Sequence, residues 1–166
     1  MTRHAEVSHQ EWIAAPIATV RGQFADLQHH IAANVHPKLR FDVISQGPLR
    51  ARYVQEVRLL GIKQRDVFER EFEPDGTMID TSVEGFNQGG SLSFRFTPAM
   101  RQGRDGTDVQ VTIRLPIPPL LGFLRPLLEA QVRRELLAAV AEDKHDIEVR
   151  GYPRAQQASV EEPLAA

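Results

Sequence analysis

Residues 49–76 read LRARYVQEVRLLGIKQRDVFEREFEPDG, and their pattern decides the fold. Two runs with alternating side-chain character flank Leu60-Gly61, and Pro74-Asp75-Gly76 ends the second run with a strong turn signal. A two-residue turn at Leu60-Gly61 pairs Leu59 with Ile62. Val57 then opposes Gln64, Gln55 opposes Asp66, Tyr53 opposes Phe68 and Ala51 opposes Arg70. A strand repeats every two residues, so all of these side chains share one face. The other face carries Arg50, Arg52, Glu56, Arg58, Lys63, Arg65, Glu69 and Glu71, and is expected to face water.

The same alternation continues outward from this hairpin. Leu39, Phe41 and Val43 alternate with Lys38, Arg40 and Asp42 before the Gly47-Pro48 turn. Downstream, strands are expected over 77–85, 91–97 and 107–115, separated by the loop at 87–90 and a polar hairpin loop at 101–106. Residues 5–13 read as a first strand. Pro16 then suits the first turn of a helix, and Ile17, Val20, Phe24 and Leu27 recur at helical spacing. The spacing predicts one helix or two short ones over 16–33, ended by His36-Pro37. A long helix is expected from Pro119 to Val149, with Leu121, Leu124, Leu128, Val132, Leu136, Ala139, Val140 and Ile147 as its apolar stripe. The fold class is therefore α+β: a curved antiparallel sheet whose apolar face is covered by a long C-terminal helix around an internal cavity. One domain is expected over 1–150, followed by a flexible C-terminal tail over 151–166.

Composition narrows the function. The 166 residues have a formal charge of −2, without the basic balance of a dedicated nucleic-acid binder. There is no cysteine, so thiolate nucleophiles, cysteine zinc sites and iron–sulfur clusters are excluded. Any metal must be held by His and carboxylate ligands. The polar residues 1–10 do not read as a signal peptide, and the apolar stretch 115–128 is too short and too broken by proline to span a bilayer. A cytoplasmic protein is the expectation. No Ser-His-Asp order, nucleotide fingerprint or metalloprotease motif is present, and Gly85-Phe86-Asn87-Gln88-Gly89-Gly90 reads as a hairpin loop.

The opening Val7…Ile13-Ala14-Ala15-Pro16…Val20…Phe24…Asp26, with the element order above, resembles the START-related (SRPBCC) superfamily of polyketide cyclases, plant allergen-type carriers and lipid-transfer domains. The resemblance covers residues 5–149. It implies a helix-grip fold with a cavity between sheet and helix for a lipid, polyketide or aromatic compound. One branch, the catalytic domain of Rieske-type ring-hydroxylating oxygenases, holds iron by Asp-x-x-His-x4-His and a carboxylate on the last helix. Asp26-Leu27-Gln28-His29-His30…His36 and Asp143 are similar to that pattern. By resemblance His30 (or His29), His36 and Asp143 would hold a mononuclear iron or other divalent metal, with Asp26 as the bridging carboxylate. The spacing departs from the branch: five residues lie between His30 and His36, and six between His29 and His36. Without cysteine the chain also builds no Rieske cluster.

The residues themselves give two readings of the histidines: a metal or acid–base site near the cavity mouth, or, as the ordinary expectation, exposed or capping residues at a helix end. The hairpin face points to an apolar pocket with a few convergent polar groups. Its candidate ligand-binding residues are Tyr53, Gln55, Asp66, Phe68 and Arg70, joined by Phe94 and, from the long helix, Leu128 and Val132. The expected partner is a hydrophobic small molecule. Three functions follow: a carrier or sensor of that molecule; a cyclase-like or metal-dependent enzyme in which Tyr53, Asp66, Arg70 or a histidine moves protons; or an interaction module with a filled interior and an exposed apolar patch. Residues 116–128 are expected to pack the start of the long helix, with transient membrane contact as the alternative.

Overall fold

The computed structural model describes residues 3–153. Its elements in chain order are β1 (Arg3–Ile13), α1 (Ile17–Ala25), α2 (Leu27–Ala32), β2 (Arg40–Gln46), β3 (Arg50–Leu59), β4 (Ile62–Phe72), β5 (Met78–Gly85), β6 (Ser91–Pro98), β7 (Thr107–Ile117), a 3₁₀ turn (Pro119–Leu124) and α3 (Arg125–Glu148). The seven strands form one curved antiparallel sheet in the order β1-β7-β6-β5-β4-β3-β2, and α3 covers its apolar face. The first two strands thus lie at opposite edges.

The β3–β4 register is the one read from the sequence: Leu59 pairs with Ile62, Gln55 with Asp66, Tyr53 with Phe68 and Ala51 with Arg70. The turn works because Leu60 and Gly61 both take positive φ, 51° and 75°, as a primed hairpin turn requires. A register shift between Val67 and Phe68 against Glu84 and Ser82 bends the sheet at β4–β5. Val7, Ile13, Val109 and Val111 on the sheet, Val20 and Phe24 on α1, and Val132, Leu136 and Val140 on α3 form the main core.

Three local expectations need correction. The α-helix starts at Arg125 rather than Pro119, because Pro126 has no N–H to give the Gly122 carbonyl and its ring would clash there, so residues 119–124 wind as a 3₁₀ turn instead. Leu120 and Phe123 in that turn are 88% and 76% exposed, so 119–124 does not pack the helix onto the sheet as expected. Finally, Tyr152, read as part of a mobile tail, is held: its hydroxyl donates to Asp26 Oδ2 at 3.1 Å and its ring meets the His29 ring edge-on at 4.7 Å. The rest of the expected tail, 154–166, lies outside the described residues. No helix among the described residues is long and apolar enough to cross a membrane.

Candidate functional site: a cavity with a histidine–carboxylate end

Between α3 and the sheet lies a cavity of about 160 Å³. Its walls are mainly apolar, including Phe24, Phe41, Phe68, Phe94, Val132 and Leu136. Of the residues singled out in the sequence, Tyr53, Gln55, Asp66, Phe68, Arg70, Phe94 and Val132 line it. Leu128 does not; one helical turn before Val132, it packs against the core cluster.

The polar members of the wall fall into separate sets. Arg70 grips Asp80 with both Nε and Nη2, each at 2.7 Å, while Tyr53 donates its hydroxyl to Asp80 Oδ2 at 2.7 Å. Arg70 Nη1 also donates to the Phe24 and Ala25 carbonyls at the end of α1, both at 3.3 Å. Burial and the Asp80 charge push the Tyr53 hydroxyl well above its usual range. Asp66 accepts from Ser82 Oγ at 3.0 Å, from the Asn87 N–H at 2.6 Å and from Asn87 Nδ2 at 2.8 Å. These bonds pin the 85–90 loop to the sheet. Tyr53, Asp66 and Arg70 are therefore bonded to the protein itself, which answers the cost of burying polar groups. Gln55 has no side-chain partner among the described residues and remains available on the wall.

The third set is the histidines. All three are buried, contrary to the expectation of exposed or capping residues. The reason is long-range: α3 brings Glu142, Asp143 and Asp146 against the α1–α2 corner. His29 Nε2 lies 2.7 Å from Asp146 Oδ2. His30 Nδ1 lies 2.7 Å from the Asp26 carbonyl and its Nε2 3.0 Å from Asp143 Oδ1. His36 Nδ1 lies 2.8 Å from Glu142 Oε2 and its Nε2 3.3 Å from the same Asp143 oxygen. Gln23 Nε2 donates to Asp143 and Asp146, at 3.0 and 3.1 Å. His30, His36 and Asp143 face the cavity and offer ligand atoms within 4.8 Å of one another. Burial alone would lower the His36 pKa, but Asp143 and Glu142 raise it to about 9. Burial opposes the Asp143 charge, and the two imidazoles overcome it and hold its pKa well below the carboxylate range.

Sequence reading missed Asp80, Gln23, Glu142 and Asp146. Asp80 had a local signal: it alternates with buried Met78 and Ser82 on the inner face of β5. Gln23 and Asp146 had none, because their pairing joins segments more than a hundred residues apart.

No protein-family model matches the sequence, and no curated protein matches it. Solved structures do match the fold. The protein TTHA0849 from Thermus thermophilus superposes with a TM-score of 0.73 at 20% identity, over 88% of this chain and 99% of that one. The Zhui aromatase/cyclase from Streptomyces sp. R1128 gives 0.66 at 17% identity, over 90% and 99%. A START superfamily protein from Mycobacterium smegmatis gives 0.66 at 16% identity, over 83% and 94%. The chain thus has the helix-grip fold, which it shares with an aromatase/cyclase and a START superfamily protein. Fold alone leaves the activity to be argued from the site.

Proposed function

We propose that the chain binds a hydrophobic small molecule in the cavity between α3 and the sheet. The cavity of about 160 Å³, apolar over most of its wall and with its polar groups in a few separate sets, carries this reading. Ligand pockets combine an apolar majority with a few oriented polar groups. Its size favours a compact guest: a dry engineered cavity of about 150 Å³ takes up benzene. An aromatic compound of one or two rings fits this scale better than a lipid chain or a folded polyketide. The aromatase/cyclase neighbour extends the reading to a cyclase-like use of the same cavity. Native mass spectrometry of the purified protein tests it. A co-purifying aromatic compound that is lost in Ala139→Trp, where an indole fills the cavity, supports the proposal. A protein that binds no added naphthalene-sized probe refutes it.

A second reading is that His30, His36 and Asp143 hold a divalent cation, and one observation favours it. Both nitrogens of each ring face acceptor oxygens. The His30 Nδ1–H donates to the Asp26 carbonyl, so a neutral ring would turn a bare lone pair toward Asp143 Oδ1. The same holds for His36 between Glu142 and Asp143. A second proton on the His36 ring relieves this there, and one cation shared by the three ligand atoms relieves it at both rings. Donors about 2.1 Å from a metal stand roughly 3.0–3.5 Å from one another, close to the spacings here. The Asp26 carbonyl and Glu142 would fix both ring orientations. A bound cation would supply Lewis-acid polarisation of a ligand oxygen at the cavity end. Cobalt(II) titration tests this reading: one equivalent giving ligand-field absorption supports it, and a spectrum identical to that of Asp143→Asn rejects it.

A further inference from the structure

The 3₁₀ turn Pro119–Leu124 buries none of its six residues. It belongs to one end of the sheet where other apolar side chains are also exposed. Arg3 pairs with Ile117 at the end of β7, and a Cβ added at Gly122 would stand 3.3 Å from the Arg3 guanidinium. The Leu60 N–H donates to Gln131 Oε1 at 2.6 Å, one helical turn on from Leu127, so the β3–β4 turn abuts the start of α3. The Phe86 N–H donates to the Arg65 carbonyl near the start of β4. Leu60, Ile62, Phe86, Leu120, Phe123 and Leu127 therefore form an exposed apolar crown drawn from four separate segments. None of the six lines the cavity.

Four cations, Arg3, Arg58, Lys63 and Arg125, stand among these segments; Lys63 pairs with Glu56 at 3.0 Å and Arg125 with Glu129 at 2.8 Å. Arg3 and Arg58 have no carboxylate partner among the described residues; Arg58 instead donates to the Gly61 carbonyl within the turn at 3.1 Å. Apolar side chains that stand clear of the core, flanked by guanidinium groups, match an interface with acyl chains below and phosphate groups above.

We propose that this end of the sheet docks on an anionic lipid surface, with Leu120 and Phe123 entering the acyl boundary and Arg3 and Arg58 meeting the headgroup phosphates. The docking is peripheral, and it is independent of whether the cavity takes a ligand. Sedimentation of the full chain with vesicles tests it. At low salt the protein is expected to sediment with phosphatidylcholine–phosphatidylglycerol vesicles and roughly tenfold less with phosphatidylcholine alone, since each surface cation favours an anionic leaflet. Leu120→Ser/Phe123→Ser should lose at least about tenfold in vesicle binding by removing two inserting side chains. Its thermal unfolding should stay unchanged, because both residues are already exposed. Arg3→Gln/Arg58→Gln should lose the preference for phosphatidylglycerol. A wild-type chain left in the supernatant with both vesicles overturns the proposal, as does a serine variant that sediments like wild type. So does a concentration-dependent dimer that the serine variant dissolves, since a second copy would then cover the crown.

Discussion

Asp143 Oδ1 stands 3.0 Å from His30 Nε2, although 113 residues separate the two in the chain. The contact joins the short α2 to the last third of α3, and the same oxygen faces His36 Nε2 at 3.3 Å. Closure of the cavity end and the charge of the His36–Asp143 pair are therefore one problem.

Stability should depend on pH through His36. Its folded pKa is about 9, against about 6.5 in an unfolded chain. A raised value gives a contribution fully present below about pH 6.5 and lost as pH climbs through about 9, worth up to about 3 kcal/mol. Urea unfolding of the metal-free protein between these limits should show stability falling as pH rises. His36→Gln should flatten that fall, and a wild-type curve that rises over the window would contradict the assignment.

An added divalent cation should reverse the sign of this dependence. Metal ligation needs the imidazoles deprotonated, so affinity, and with it stability, increases with pH. Glu142→Gln, which weakens the support of His36 without removing a ligand, should lower cobalt affinity about 10–100-fold. Equal affinity in wild type and Glu142→Gln by isothermal calorimetry would show that Glu142 does not support the ligand ring.

Breaking the Arg70–Asp80 pair from one side should be costly. Arg70→Met leaves the Asp80 charge buried with only the Tyr53 hydroxyl, a loss of about 3–5 kcal/mol. Replacing both partners, as in Arg70→Met/Asp80→Leu, should recover most of that loss. Chemical denaturation checks both, and a double variant no better than the single would place the cost elsewhere.

Gln55 is the wall residue whose replacement should alter ligand choice with little effect on stability. Gln55→Leu should weaken binding of a phenol or similar hydroxylated ring by about tenfold, while leaving the unsubstituted ring within about twofold. Calorimetry with phenol and benzene distinguishes the two, and an equal loss for both would assign Gln55 to shape alone.

Gly85 is needed for its backbone. It holds φ at +121° beside the Asp66–Asn87 bonds, and an added Cβ would collide with the Arg65 carbonyl. Gly85→Ala should cost more than about 1 kcal/mol. An unchanged melting temperature would show that the loop relaxes freely.

The fold was legible where the sequence carries a local rule. Leu60-Gly61 fixes a two-residue turn, and the turn fixes which of Tyr53, Gln55, Asp66 and Arg70 share a face. What remained hidden required long-range pairing. His29 and His30 at a helix end read as exposed, because their carboxylates arrive from α3 and nothing near them in the chain announces that. Phe123 and Leu120 read as core because apolar residues at helical spacing usually are; the prolines that wind this segment as a 3₁₀ turn leave both side chains outside.

The edge position of β1 carries a temporal consequence. Val7 pairs with Ile113, so the first strand synthesised waits for roughly a hundred further residues before β7, its one neighbour among the described strands, emerges. At ribosomal rates of about 5–20 residues per second that delay is on the order of 5–20 seconds. Throughout it, Val7 and Ile13 have no β7 to bury them. The nascent chain therefore completes its sheet by recruiting its oldest segment last, and cleavage within β1 before that moment would leave β7 as an unguarded edge.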